Sequence, residues 1–351
     1  MPTNPITPES LLNGSVSEQV PLVTIITPSY NQAQYLEETI QSVLSQNYPR
    51  LEYFIVDGGS KDGSPEIIRK YADRLAWWVS EKDRGQADAI NKGFARATGE
   101  IVAWLNSDDL YQPGAIASAV AELMDHPECG MVFGDVISID ANSQPFNIMT
   151  FGDWGLEDLL QFRIIGQPAV FVRRSVLEKA GYLDLSYNLV LDVELWMRVA
   201  RQAPIRYVPQ RWAAARFHPT AKNVSLAAHY STEAERLLAW IAGQPGLQEV
   251  YRRLNRPIRA GMHVYSARYL LDGGLPGPAL RAYLRCFWAY PPAIRPELNR
   301  ILYALASLAA SKMPFSRGLL RWIEQRRARF LEQRRQHILA LLAGENSRGQ
   351  G

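Results

Sequence analysis

Cysteine is scarce in this chain of 351 residues: Cys129 and Cys286 stand far apart, with no spaced His or Cys partners. That excludes a disulfide framework and a structural zinc site, and makes a reducing compartment the simple expectation. Long hydrophobic runs are lacking as well. The longest candidate, residues 301–310, falls short of the ~18 to 20 residues that a bilayer-spanning helix needs, so a soluble or peripheral protein is expected. The first 20 residues lack the charged start and apolar centre of a secretory signal; rich in Pro, Thr, Ser and Asn, they read as a loose arm. No internal repeat and no long low-complexity segment interrupts the rest.

Hydrophobic residues make up 47% and charged residues 21%, enough apolar surface for an ordinary globular core. The length exceeds the roughly 250 to 300 residues that one core usually serves, which predicts a main domain with a smaller appendage. Charge divides the chain. Residues 1–250 hold 20 Lys+Arg against 30 Asp+Glu, while residues 251–351 hold 18 against 5. One region is acidic and the other strongly basic, so the two face different partners or each other.

Three apolar runs in the first 110 residues share a design. Residues 23–27 lead into Pro28-Ser29-Tyr30-Asn31, residues 53–56 into Asp57-Gly58-Gly59-Ser60, and residues 101–105 into Asn106-Ser107-Asp108-Asp109. Short, continuous and rich in β-branched or aromatic residues, they read as strands buried on both faces of a parallel sheet. Helical patterns lie between them: Leu36, Ile40, Val43 and Leu44 share one face, and Ser64-Pro65 supplies a cap and a first-turn proline. Strand, helix and strand in alternation imply βαβ units with right-handed crossovers, whose ligands bind at the carboxyl ends of the strands. The polar tips are thus predicted to converge. Further strands are expected at 130–139, 169–172, 206–208 and 212–217, and a helix at 192–201. From residue 225 the pattern is mainly helical, so the expected domains are an arm at 1–20, a main α/β domain at 21–222 and a basic helical region at 223–351.

Each tip has a functional and a plain structural reading. Adjacent carboxylates at Asp108 and Asp109 repel, and a divalent cation bridging to a diphosphate relieves that repulsion; the alternative is a helix cap. The glycines after Asp57 allow close backbone approach to a ligand, or simply make a tight turn. Tyr30 offers a ring that can stack on a nucleobase or pack partly buried.

Read together, four segments carry a resemblance: residues 23–31, 55–64, 80–93 and 98–109, ending in Leu105-Asn106-Ser107-Asp108-Asp109. In order and spacing they resemble glycosyltransferase family 2 over about residues 21–220. The resemblance implies a GT-A fold, a three-layer α/β/α sandwich around a mostly parallel sheet, here with an appended C-terminal helical region. It implies an inverting transferase that uses a nucleoside-diphosphate sugar and a divalent cation, Mg2+ or Mn2+. Carried over by position, Pro28 and Tyr30 line the base pocket, Asp57 bonds the base edge, and Gly85, Asp88 and Asn91 sit near the ribose and sugar diphosphate. Asp108 matches the metal-binding carboxylate. Asn106 stands where the family usually has an Asp, which keeps an acceptor for ribose and removes a charge.

An inverting displacement needs a base to take the acceptor's proton. The family places it at an acid near a helix start, which resembles Leu191-Asp192-Val193-Glu194 and implies Asp192, with Glu194 as the fallback. Burial beside Trp196 would raise the ordinarily weak basicity of Asp192. His218 resembles a histidine that approaches the diphosphate or metal in several members, with Lys222 as a phosphate contact; a structural histidine is the alternative.

The C-terminal residues Leu319, Ile323, Phe330, Leu331, Ile338, Leu341 and Leu342 form an incomplete apolar face among arginines. An interfacial helix on anionic lipid and a solvated helix packed on the acidic domain both fit; no motif supports nucleic-acid binding. Three functions compete. The first is a transferase acting on a glycan or lipid-linked acceptor in cell-surface polysaccharide or glycoconjugate synthesis, in the cytoplasm or at the inner face of the membrane. The second is a nucleotidyltransferase, which would need a basic Gly-rich loop where Pro28-Ser29-Tyr30-Asn31 stands. The third is a catalytically silent nucleotide-sugar-binding or membrane-associated scaffold.

Overall fold

The computed structural model of the chain describes residues 20–312 and, beyond them, residues 325, 329, 332, 333, 335, 336 and 338–341. The expected N-terminal arm up to residue 19 and most of the basic C-terminal face, including Leu319, Ile323, Phe330, Leu331 and Leu342, lie outside the described residues.

The short apolar runs form strands. β1 (Val23–Ser29), β2 (Leu51–Asp57), β3 (Trp77–Ser80), β4 (Ile101–Trp104), β5 (Leu110–Tyr111), β6 (Met131–Ile139), β7 (Pro145–Met149), β8 (Val170–Arg173) and β9 (Ile205–Arg216) make one nine-stranded sheet. Its order is β3-β2-β1-β4-β8-β6-β9-β5, with β7 paired to β6. Across β3-β2-β1-β4 every pairing is parallel. β8 then runs antiparallel to both β4 and β6, and β5 antiparallel to β9, so the sheet is mixed. The two closing strands expected at 206–208 and 212–217 are one continuous strand, β9.

Helices cover both faces. Val23 and Ile25 of β1 share a core with Leu36, Ile40 and Val43 of helix Ala33–Leu44 and with Ile116 and Val120 of helix Ala115–Asp125. Ile26 points the other way, as strand alternation requires. There Gly93 of helix Gln86–Arg96 approaches so closely that a Cβ would stand 2.6 Å from Ile26 Cγ1. On this second face Trp104 stacks on Trp196 of helix Leu191–Ala200, with ring centroids 5.0 Å apart. Aromatic area of this size contributes heavily to a core, roughly 0.5 to 1.5 kcal/mol beyond burial alone for such a pair.

The chain divides into two compact units. One runs to Arg216 but omits two segments, Ser138–Asn147 and Glu157–Arg163, which join Phe217 onward in the other. The division thus falls six residues before the expected 222. The reason is local packing within the second unit: Phe162 packs on Tyr265 at 5.7 Å, Arg253 pairs with Glu157, and Phe146 packs on Phe217. Helices Tyr230–Gly243, Gln248–Asp272, Pro276–Ala289 and Leu298–Lys312 form most of that unit. At Gly261 the long helix passes so near residue 161 that a Cβ would overlap the Gln161 carbonyl oxygen. Of the basic C-terminal stretch, Ile338 is buried and Arg335 lies 3.9 Å from Asp140. Among the described residues no helix is long and apolar enough to cross a membrane.

Candidate functional site

Parallel pairing sets the tips of β1 and β2 side by side, with Ser29 opposite Asp57 and Asp57 opposite Ser80. Asp57 is wholly buried. Its Oδ2 accepts from Gly59 N (3.1 Å), Ser60 N (2.9 Å) and Ser80 Oγ (2.6 Å), and its Oδ1 from Ser60 Oγ (2.5 Å). Three donors on Oδ2 and one on Oδ1 make Asp57 the organiser of the Gly58–Ser60 turn, and leave Oδ1 as the oxygen with acceptor capacity to spare.

The β1 tip is fastened to the same turn. Asn31, with φ +52°, takes a left-handed conformation that Asn tolerates. Its N–H donates to Ser60 Oγ (2.7 Å) and its Oδ1 accepts from Lys61 N (3.0 Å), while Ala33 N donates to Asp62 Oδ2 (2.9 Å). Ser64 is already helical rather than capping, since Gly63 in the left-handed region precedes it and the Ser64 hydroxyl donates to Asp62 Oδ1. Desolvation is the largest single effect on the Asp62 carboxyl and opposes ionisation, but the bonds from Ser64 and Ala33 together outweigh it and hold the group below its ordinary range. Pro28 is buried within β1, whereas the neighbouring Tyr30 ring is 62% exposed. An open polar groove of about 560 Å³ beside this turn is lined by Ser60, Lys61, Arg69, Trp78 and Ser80 among others. It takes in the hydroxyls that fasten Asp57 but none of Asp88, Asp108 or Asp192.

Gly85, at φ +107°, opens helix Gln86–Arg96, and no atom would lie within 4 Å of a Cβ there. Backbone conformation, not crowding, selects glycine at this turn. Asp88 accepts from Arg84 Nη2 (2.6 Å), Nε (3.1 Å) and N (3.2 Å), and the Arg84 guanidinium holds its carboxyl below the usual range. Asn91 is committed elsewhere than the expected ribose or diphosphate contact. Its Nδ2 donates to Leu183 O (2.8 Å) and its Oδ1 accepts from Leu183 N (3.0 Å), a two-bond clip between helix and loop that uses both ends of the amide.

After β4, Asn106 Oδ1 accepts from Gln86 Nε2 (2.7 Å), and its Nδ2 lies 3.1 Å from both Asp109 Oδ2 and Gln167 Oε1. Gln167 in turn donates to Trp104 O (2.8 Å). Asp109 is buried and also accepts from Arg216 N (2.9 Å). Burial, then the neighbouring Asp108 charge, push its carboxyl well above the usual range. Arg216, its side chain fully enclosed, donates to Asp108 O (2.8 Å) and Glu38 Oε2 (2.7 Å) and lies over the Tyr35 ring at 4.6 Å. Asp108, partly exposed on the turn so clamped, is the carboxylate presented at the strand end.

Asp192 is the second residue of its helix and keeps part of its surface exposed. Protein nevertheless surrounds the carboxyl, and that burial, opposed by backbone donors at Val193 and Asp192, raises it to about 6. One turn later on the same face stands Trp196, stacked on Trp104, two residues before Asn106. The two indole N–H groups of this stacked pair are both buried without a partner. Glu194 points elsewhere. It is buried and holds Arg198 at 2.6 Å, inside a cage of the Ala180, Gly181 and Tyr182 carbonyls. His218 belongs to the second unit, buried, with Nδ1 2.9 Å from Thr220 Oγ1.

Sequence reasoning missed Gln86, Gln167 and Arg216, and saw Asp109 only as the carboxylate beside Asp108. Gln86 lies inside the family-like segment 80–93 and was within reach. Arg216 is separated from Asp108 by 108 residues, and no local pattern marks it.

A divalent cation with few protein ligands fits a turn that presents one carboxylate, because phosphate oxygens and water can complete its shell. Among the described residues no group of three or more His, Cys, Asp or Glu is placed to hold a metal. Of the two adjacent carboxylates on this turn, Asp109 already accepts from Arg216 N and Asn106 Nδ2.

Residues 24–178 match the family model described as glycosyl transferase family 2. A putative teichuronic acid biosynthesis glycosyltransferase of Bacillus subtilis is 31% identical over 193 residues, 53% of this chain and 75% of that protein. An uncharacterized glycosyltransferase of Mycobacterium tuberculosis is 30% identical over 188 residues, 51% and 69% of the two chains. Relatives from Rickettsia felis and Rickettsia conorii, at 27% and 28% identity, match 60% and 59% of this chain, and the alignments take in only 36% of their own length. Among solved structures, S. aureus TarS 1–349 in complex with UDP-GlcNAc aligns with a TM-score of 0.52 at 16% identity, over 82% of this chain and 88% of that one. A mannosyltransferase of Pyrobaculum calidifontis in complex with GDP-Man and Mn2+ aligns with a TM-score of 0.53 at 22% identity, over 86% and 84%. These likenesses establish the GT-A type of mixed α/β fold followed by C-terminal helices.

Proposed function

The chain belongs to glycosyltransferase family 2, and from that premise we propose that it moves a sugar from a nucleoside-diphosphate donor to an acceptor hydroxyl with inversion at the anomeric carbon. What supports this reading is the side-by-side register of the β1, β2 and β4 ends, with the β1 and β2 tips bonded through Asn31 and Ser60, together with a raised carboxyl at Asp192 on the helix whose Trp196 stacks on Trp104 of β4. A carboxyl raised to about 6 is ionised at neutral pH yet far more basic than an ordinary aspartate. In our reading the acceptor hydroxyl gives its proton to Asp192 as its oxygen bonds C1. The bond from C1 to the diphosphate oxygen breaks on the opposite face, and the nucleoside diphosphate leaves with that electron pair.

Tyr30 is exposed where a base could stack on it, and the Gly85 turn brings backbone close to the donor. A divalent cation, Mg2+ or Mn2+, supplies neutralisation of the developing diphosphate charge when bound. Asp108 is the residue we assign to hold it; His218 stays a further candidate on the family resemblance alone. The Bacillus relative's name, teichuronic acid biosynthesis, supports polysaccharide synthesis as the setting; in our reading the acceptor is a glycan or lipid-linked molecule and the work is done in the cytoplasm near the inner membrane face.

The test is a panel of nucleotide sugars, assayed for metal-dependent release of nucleoside diphosphate with and without membrane extract. Release with one donor, and a product of inverted configuration, is expected. Intact nucleotide binding with no turnover on any donor and acceptor would instead favour the silent-scaffold reading, which the commitment of Asp57, Asn91 and Asn106 to internal bonds makes specific.

A further inference from the structure

The helical unit carries apolar side chains that its own packing does not use. On helix Pro276–Ala289 the stripe Ala279, Ala282, Tyr283 and Cys286 is buried, and the opposite stripe of Leu284, Phe287 and Trp288 is exposed, Trp288 to 73%. The following helix, Leu298–Lys312, exposes Leu298, Leu302 and Leu305, spaced four and three residues apart. Ile301 packs with Ala282 and Tyr283, and Leu308 lies beside Gly277. The two helices therefore run antiparallel and place Leu298 toward the end that carries Trp288.

Arginines border this face. Arg281 and Arg285 follow Leu284 and Trp288 around their helix, and Arg252, Arg256 and Arg259, at i, i+4 and i+7, form a ridge on helix Gln248–Asp272. Arg256 Nε donates to Ala289 O at 2.9 Å, which ties the ridge to the Trp288 end. Among the described residues these five make no ion pair. The carboxylates of residues 251–312, Asp272 and Glu297, are engaged elsewhere: Glu297 by Arg268 and Tyr283, Asp272 by Arg300 at 3.7 Å. Positive charge accumulates accordingly. His263, half buried, is held down to about 4 by burial and then by Arg285 and Arg259.

We propose that the Leu284–Phe287–Trp288 stripe, with its flanking arginines, docks on the surface of an anionic phospholipid bilayer, the helix pair lying in the interface plane. An exposed apolar stripe needs a cover, and aromatic rings beside basic residues suit the boundary between headgroup and acyl chain. A second copy of this chain fits poorly, because an isologous contact would set the arginine cluster against itself. The proposal does not depend on the transferase reading, since docking requires no donor.

The experiment is cosedimentation of the full chain with vesicles of phosphatidylcholine alone or mixed with phosphatidylglycerol, at low and high salt. Binding to the mixed vesicles only, weakened by salt, is expected. Arg281→Gln with Arg285→Gln should weaken it roughly 30-fold, about fivefold per arginine, and Phe287→Ser with Trp288→Ser about tenfold or more. Both doubles should keep the circular dichroism of the parent and its nucleoside-diphosphate release in solution. Equal binding to both vesicle types overturns the proposal, as does binding to neither. So does a dimer that ignores vesicles and is abolished by the same substitutions, or a preference for soluble RNA over vesicles.

Discussion

The two units use charge in opposite ways. At the sheet edge charged and amide side chains turn inward: Arg216 is fully enclosed, Asp57 and Asp109 are buried, and each is satisfied by donors or acceptors from distant segments. In the helical unit the cores are small and mainly apolar, built on Ala267, Ala282 and Tyr283 or on Leu271, Ala279 and Ala304; Glu297 is buried against Tyr283 and Arg268, while the arginines stand outside these cores. A buried polar group costs several kcal/mol unless its partners are fixed in place. The sheet edge is therefore a rigid network whose members can each be broken, while the helical surface tolerates change in any one residue.

The largest expected effect is at Asp192, and it has two signs. Asp192→Asn removes the proton acceptor, so turnover should fall on the order of a thousandfold with nucleotide affinity kept. For the parent, activity should decline as pH drops through about 6, because only the ionised carboxylate accepts a proton. Stability responds in reverse. A carboxyl raised above its unfolded value of ~3.9 stabilises the fold below that pH and loses the contribution as pH rises through about 6. The Asn variant should thus be more stable than the parent at neutral pH, by on the order of 2 kcal/mol, and equal to it near pH 3. Urea unfolding at the two pH values checks this. Undiminished turnover, or no gain in stability at pH 7, would detach Asp192 from the role given to it.

Next in size is Arg216. Replacing it with Met takes the guanidinium donor from the Asp108 carbonyl, while Glu38, 45% exposed, can turn to water, so it should cost about 1 to 3 kcal/mol in unfolding free energy. Lys keeps the charge but cannot span both acceptors, so it should fall between. A parent-like midpoint for Arg216→Met would mean that the network is not rigid.

How much of this was legible follows the same division. The strands ending in Ser29, Asp57 and Trp104 were readable because burial on both faces imposes continuous apolar runs, and the glycines at 59 and 85 mark turns with positive φ. The parallel, side-by-side placing of the β1, β2 and β4 ends was readable from βαβ logic. What was not readable is how the amides are spent. Asn91 and Asn106 sit in the expected segments, yet their partners, Leu183 and Gln167, are 92 and 61 residues away and are selected by the tertiary fold. The antiparallel half of the sheet was equally hidden, since a strand's direction leaves no mark on its composition. In the helical unit the apolar face on residues 276–305 escaped notice because its leucines and aromatics resemble core residues until the helix neighbours are known.

Close contacts at glycine compare the two units directly. At Gly93 an added Cβ would meet the buried, β-branched Ile26, and at Gly261 it would meet the Gln161 backbone. Alanine gains roughly 1 kcal/mol in helix propensity at either site, against an overpacking cost of about 1 to 3 kcal/mol. Backbone yields less readily than a side chain, so Gly261→Ala should be the more destabilising of the two. The order of their melting temperatures decides it. A milder Gly261→Ala would mean that the contact at Gln161 relaxes, and that the helical unit is the looser one.

The smallest expected change in stability is at Tyr30. With its ring 62% exposed beside the fastened Asn31 turn, Tyr30→Ala should alter unfolding by no more than about 0.5 kcal/mol. Stacking on a base is worth about 1 kcal/mol, so nucleotide affinity measured by calorimetry should drop roughly fivefold. Tyr30→Phe keeps the ring and should restore it. Trp288 is the counterpart in the other unit, still more exposed at 73%, and its replacement should leave nucleotide affinity untouched. If Tyr30→Ala binds nucleotide like the parent, the base does not lie over the β1 tip, and the edge between Tyr30 and the Ser60–Ser80 groove has to be assigned to some other part of the donor.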